Sequence, residues 1–106
     1  MRITEYLDGK GLSPFGRWFA KIDARAASKV TIALARIDQG NLSNVKPVGS
    51  GVLEYRIDYG PGYRVYFGRD GDELVVLLVG GTKQRQQDDI RAAQAYWRDY
   101  KSRRGV

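Results

Sequence analysis

The stretch from Gly51 to Gly81, GVLEYRIDYGPGYRVYFGRDGDELVVLLVGG, decides how this chain folds. From Gly51 onward, Leu53, Tyr55, Ile57 and Tyr59 fall on one face and Val52, Glu54, Arg56 and Asp58 on the other, the period-two pattern of a strand. Gly60-Pro61-Gly62 supplies turn chemistry, and Tyr63 to Gly68 returns as a second strand. There, Tyr63, Val65 and Phe67 oppose Arg64 and Tyr66. Asp70-Gly71-Asp72 turns the chain once more into Leu74–Val79, apolar at every position. A run without alternation indicates a strand covered on both faces, so this one is expected at the centre of the sheet, ended by Gly80-Gly81.

The flanking segments complete the pattern. Arg2 to Leu7 alternates loosely and reads as an opening strand, closed by Asp8-Gly9-Lys10-Gly11. Ser13-Pro14 is an N-cap followed by proline at the first helical position, and Phe15, Trp18, Phe19 and Ile22 then recur at helical spacing. Asp23 caps a second helix running from Ala24 to about Gln39 and stopped by Gly40, with Ala26, Ala27, Val30, Ala33, Leu34 and Ile37 as its buried stripe. The short link makes the two an antiparallel hairpin over one core, with Arg25, Lys29 and Arg36 towards solvent. Asn41 to Ser50 reads as a loop carrying Lys46. Asp88 and Asp89 suit the start of a last helix, whose buried side is Ile90, Ala93, Trp97 and Tyr100, and Lys101 to Arg104 reads as a frayed basic tail.

The fold class expected is therefore α+β, a single domain over 1–106. A helical hairpin lies on one side of a small curved antiparallel sheet, and the last helix closes one edge. Eighteen Lys and Arg against twelve Asp and Glu give a net charge of +6, which favours polyanions without distinguishing RNA, DNA or an acidic protein. No cysteine is present, which excludes disulfides and thiolate zinc sites and is compatible with a reducing cytoplasm. No histidine is present either, so proton transfer falls to carboxylates, Lys or Tyr. No acidic cluster suggests a metal site, no cofactor is expected, and neither a signal peptide nor a membrane span is visible.

The segments Lys46-Pro47-Val48-Gly49, Gly51 to Phe67, Gly80-Gly81-Thr82-Lys83 and the helix from Asp89-Ile90 to Trp97 resemble the HigB-like "addiction module killer" subfamily of RelE/ParE toxins. The stretch from Glu54 to Phe67, with arginines on both sides of Gly-Pro-Gly, carries the most specific part of the likeness. The resemblance implies a RelE/ParE-like fold and a cytoplasmic toxin of a type II toxin-antitoxin module, acting as a ribosome-dependent messenger RNA endonuclease. The implied chemistry is attack of the ribose 2′-OH on the adjacent phosphate, without a metal. The implied partners are a cognate antitoxin of helix-turn-helix type, messenger RNA and the ribosome, with operator DNA reached only through the antitoxin.

That reaction needs a group to take the 2′ proton, cations for the phosphorane and a donor for the leaving 5′ oxygen. Arg56 and Arg64, on facing strands, are expected to project from one face and clamp one phosphate. Exposed salt bridges with Glu54 and Asp58 are the bland alternative. Lys83 stands near the family's basic residue past the last strand and is matched to the leaving oxygen, with Arg85 as a phosphate ligand. Glu54 is the candidate base and Lys46 its rival. Tyr59 and Tyr63 flank the turn and are expected to be exposed to RNA, whereas Tyr55 is assigned to the core, as are Trp18, Phe19 and Trp97. Many RelE-type nucleases place Tyr or His near the start of the last helix, where this chain has Gln86, Gln87, Asp88 and Asp89. Two other readings stay open: a ParE-type gyrase inhibitor without enzymatic activity, and a nucleic-acid-binding module whose catalytic groups are lost.

Overall fold

In the computed structural model, which describes residues 1–104, the chain runs β1 (Arg2–Glu5), α1 (Pro14–Lys21), α2 (Ala24–Asp38), β2 (Val45–Pro47), β3 (Leu53–Ile57), β4 (Tyr63–Asp70), β5 (Leu74–Thr82) and α3 (Gln86–Arg104). A 3₁₀ turn over Lys83–Arg85 leads into α3. The five strands form one sheet in the order β1-β5-β4-β3-β2. The fold is α+β, and the sheet is mixed where the sequence pattern implies a purely antiparallel one, because β1 pairs parallel to β5.

Local chemistry sets the helix boundaries. Ser13 Oγ accepts the Gly16 N–H at 2.8 Å and Asp23 Oδ1 accepts the Ala26 N–H at 2.8 Å, so each expected cap forms. Phe15, Trp18, Phe19 and Ile22 then pack with Ala26, Val30, Ala33, Leu34 and Ile37 in one cluster, against Tyr55, Ile57, Tyr63, Val65, Phe67, Val75 and Leu77 of the sheet. The opposite sheet face, built from Val52, Tyr66, Val76 and Leu78, packs against Ala93 and Trp97 of α3. The last helix thus covers the second face of the sheet and does not close an edge. That placement explains the unbroken apolar run of β5, which lies between β1 and β4 with helices on both sides.

Three further expectations are corrected. The segment 41–50 contains β2, which pairs antiparallel with β3 through Val45↔Tyr55, Lys46↔Glu54 and Pro47↔Leu53. Pro47 is tolerated because β2 is an edge strand. Gly80 and Gly81 do not end β5, which continues to Thr82. Both are buried, and a Cβ would drive Gly80 into the Trp18 ring and Gly81 into the Asp89 carboxylate. Glycine here lets a helix side chain approach the sheet on each face. Finally, Lys101 to Arg104 remain helical: Arg103 donates to Leu7 O at 2.6 Å and pairs with Asp99, and Arg104 Nε lies 3.2 Å from Asp70. Among the described residues no helix is long and apolar enough to cross a membrane.

Candidate nucleic-acid interface

The β3–β4 register places Arg56 directly opposite Arg64 and Glu54 directly opposite Tyr66. Residues opposite one another in a ladder share a face, so the two guanidinium groups belong to the same side of the sheet. Lys46 joins the neighbouring rung through its pairing with Glu54. The two rungs therefore read Lys46–Glu54–Tyr66 and Arg56–Arg64, and Arg64 is followed by Gly81 on β5.

Lys46, Arg56, Arg64 and Lys83 line one cavity of about 230 Å³, with Asp58, Gly62 and Gln86 on its walls. Gly62 organises the mouth. Its carbonyl accepts the Lys83 N–H at 2.8 Å and Arg64 Nη1 at 3.2 Å, which holds the start of the 3₁₀ turn and the arginine side by side. Its φ is +80°, which calls for glycine, and a Cβ there would lie 2.9 Å from Arg64 Nη1 and push the end of that side chain aside.

Behind the cavity is a buried polar group. Glu54 is 0% exposed and accepts hydrogen bonds from Tyr66 Oη at 2.9 Å and Gln86 Nε2 at 2.9 Å. Its carboxylate lies 3.8 Å from Lys46 Nζ and 4.0 Å from Arg64 Nε, with no hydrogen bond to either. Burial, followed by the hydrogen bond and charge of Glu54, pushes the Tyr66 hydroxyl far above the usual phenol range. Arg64 is itself 6% exposed, whereas Arg56 is exposed and has no ion-pair partner within 4.0 Å among the described residues. Of the bland alternative, the Arg64–Glu54 ion pair does form, at 4.0 Å and buried instead of exposed, whereas Arg56 and Asp58 have no ion-pair partner within 4.0 Å among the described residues.

Other expected residues fall elsewhere. Glu54 is not presented to the cavity as a free carboxylate; its environment fits a residue that positions Arg64 and Lys46. Tyr63 is 8% exposed and sits in the core, with its ring 6.4 Å from Trp18 and stacked on Tyr59, so it is not an exposed stacking platform. Burial raises its hydroxyl pKa. Tyr59 is half-buried, and its ring is engaged by Tyr63 and by Lys29 Nζ, 5.4 Å from the ring centroid. Tyr55 is in the core, as expected. Arg85 is exposed on the 3₁₀ turn and does not line the cavity that Lys83 lines. Asp88 pairs with Arg91 at 2.5 Å, whereas Asp89 lies over Gly81 with Oδ2 buried and unpartnered, and burial raises its pKa despite Arg85 nearby. Sequence reasoning missed the hydrogen bond of Gln86 to Glu54 and the Gly62 carbonyl as an acceptor shared by Lys83 and Arg64. Gln86 stands among the residues where an aromatic or imidazole was sought, and nothing in its spacing announces a bond to a residue 32 positions away.

No cluster of three or more His, Asp or Glu that might hold a metal occurs among the described residues. The fold and this geometry define a small α+β domain with a cationic cavity at the turn end of the β3–β4 hairpin. No family model matches the chain. It is 41% identical over 81 residues to an uncharacterized protein of Haemophilus influenzae, an alignment covering 76% of this chain and 82% of the relative. The chain belongs to the same family as that protein.

Proposed function

We propose that the protein is the toxin of a type II toxin-antitoxin module, a cytoplasmic endoribonuclease that cuts messenger RNA on the ribosome without a metal or cofactor. The observation that carries the reading is the convergence of Lys46, Arg56, Arg64 and Lys83 on one cavity of about 230 Å³. Sequence resemblance to the HigB-like branch of RelE/ParE toxins supports it from an independent direction. In this reading Arg56 and Arg64 hold the non-bridging oxygens of one phosphodiester, a task suited to planar guanidinium groups. Lys83, fixed by its N–H to the Gly62 carbonyl, serves the leaving 5′ oxygen. Lys46, whose side chain is 57% exposed, is the group able to meet the 2′-OH, since Glu54 is sealed behind it. Fixed positive charge, not a tuned imidazole, then supplies most of the stabilisation, and the ribosome supplies in-line geometry.

The antitoxin, of helix-turn-helix type, is the expected inhibitor and carries any operator DNA contact. The test is purified protein added to a reconstituted translation reaction, with message ends mapped by primer extension and a gyrase supercoiling assay run in parallel. New message ends that vanish with Arg64→Ala are expected. Intact message with inhibited supercoiling would transfer the protein to the gyrase-poison class, and message binding without scission would leave a binding module.

A further inference from the structure

Arg56 and Asp58 are shared walls. Besides the cavity holding Arg64 and Lys83, they line a second cavity of about 260 Å³ between α2 and β3, where Lys29, Arg36, Asn44 and Tyr59 stand. They also line a third, where Lys46 and Glu54 stand. All three cavities share Arg56 and Asp58 in their walls, one lying on the α2 side of β3 and the others on the side of Arg64, and together they make a basic trough with Arg56 common to its parts. Six cations, Lys29, Arg36, Lys46, Arg56, Arg64 and Lys83, face only two carboxylates, Glu54 and Asp58, so the trough carries +4 of the chain's net +6. The excess charge is concentrated along one path and not spread over the surface.

We infer that the α2 lobe, built on Lys29 and Arg36, is a second phosphate subsite that holds the substrate strand of single-stranded RNA away from the scissile bond. The inference rests on the reading of the Arg56–Arg64 cavity as the cleavage site. Lys29 and Arg36 are seven residues apart on α2, two helical turns, and therefore present one face. Both are exposed, and neither has an ion-pair partner within 4.0 Å among the described residues. Lys29 Nζ lies 5.4 Å from the centroid of the Tyr59 ring, a cation–π contact with a residue that itself lines the lobe. A phosphodiester chain carries successive charges, and a trough with cations on both sides of a shared guanidinium offers partners for more than one of them.

The probe is a fluorescein-labelled single-stranded hexaribonucleotide made uncleavable by 2′-O-methyl groups, titrated by anisotropy over a range of salt. Lys29→Gln/Arg36→Gln is expected to weaken binding and lower the slope of log Kd against log salt by about 1.4, about 0.7 for each phosphate of a single strand that is no longer neutralised. Arg17→Gln/Arg98→Gln removes equal charge from exposed positions outside the trough and is expected to leave that slope close to wild type. A slope for Lys29→Gln/Arg36→Gln equal to wild type or to this control overturns the subsite, while weaker binding by Arg64→Ala in the same titration leaves the cleavage-site reading standing. Failure of the wild type to bind the hexamer overturns the subsite, whereas the cleavage-site reading falls only if message ends in the translation reaction are indifferent to Arg64→Ala. An effect seen only with an RNA hairpin probe assigns the lobe to duplex and overturns the substrate-strand claim.

Discussion

Replacing Glu54 by Ala removes a carboxylate with no exposed surface, and the cost is set by what it leaves behind. Tyr66 Oη and Gln86 Nε2 are each deprived of an acceptor at 2.9 Å, and Arg64 keeps its charge with a side chain only 7% exposed and the Gly62 carbonyl as a partner. Taking one member from a buried ion pair costs about 3–5 kcal/mol, and an orphaned buried donor about 1–3 kcal/mol. Gln86 is half-buried and can turn towards water, so the terms overlap and a total of about 4 kcal/mol is expected for Glu54→Ala. That is a large part of the roughly 5–15 kcal/mol available to a domain. Glu54→Gln keeps an acceptor for Tyr66 and loses only the charge, for which about 2 kcal/mol is expected. Adding Arg64→Met to Glu54→Ala removes the stranded cation, so the double variant is expected to lie about 1–3 kcal/mol above the sum of the singles. Urea unfolding followed by fluorescence of Trp18 and Trp97 reads the wild type and the four variants, the Arg64→Met single among them. A loss under about 1 kcal/mol for Glu54→Ala, or simple additivity with Arg64→Met, would refute the buried, coupled group.

The remaining expectations concern the sheet and its pH response. Gly80→Ala forces a methyl into the Trp18 ring and is expected to cost about 1–3 kcal/mol, with Trp18→Leu in the same chain relieving part of it; chemical denaturation measures both. Because burial raises the Asp89 pKa in the folded state, the native protein binds that proton more tightly than the unfolded chain. Asp89 therefore lowers stability as pH rises from the ordinary carboxylate range through the raised value. Asp89→Asn is expected to flatten that fall and to raise Tm near neutral pH more than at pH 4, and equal shifts at both would contradict it. Gly62→Ala is expected to abolish message cleavage while leaving most secondary structure, because it strains the turn and displaces Arg64, and circular dichroism beside the cleavage assay checks this.

Much of the hairpin is legible because its signals are local. Alternation over Leu53–Ile57 and the Gly60-Pro61-Gly62 turn imply the pairing that sets Arg56 against Arg64, and capping at Ser13 and Asp23 follows from side chains three residues from the amides they accept. What escapes such a reading is non-local. Strand β2 is three residues with a proline and a lysine, and only its pairing to β3 makes it a strand. Glu54 and Arg64 lie on a polar-looking face that alternation assigns to solvent, yet α3 covers the same side of the sheet and Gln86 reaches down to the carboxylate. Gly80-Gly81 reads as punctuation, although its small size answers to Trp18 and Asp89, one of which lies more than sixty residues away in sequence. Adjacency to a turn suggests exposure for Tyr63, whereas α1 brings Trp18 over that end of the hairpin and buries it.

The claim on which the functional account depends is that Arg56 and Arg64 act together on one phosphodiester. Single-turnover cleavage of a defined message on stalled ribosomes, compared for Arg56→Ala, Arg64→Ala and the double variant, tests it most directly. Groups gripping the same phosphate act as a unit, so the account predicts that the double variant cleaves little more slowly than the worse single. Effects that multiply, or a double variant as fast as wild type, would contradict it.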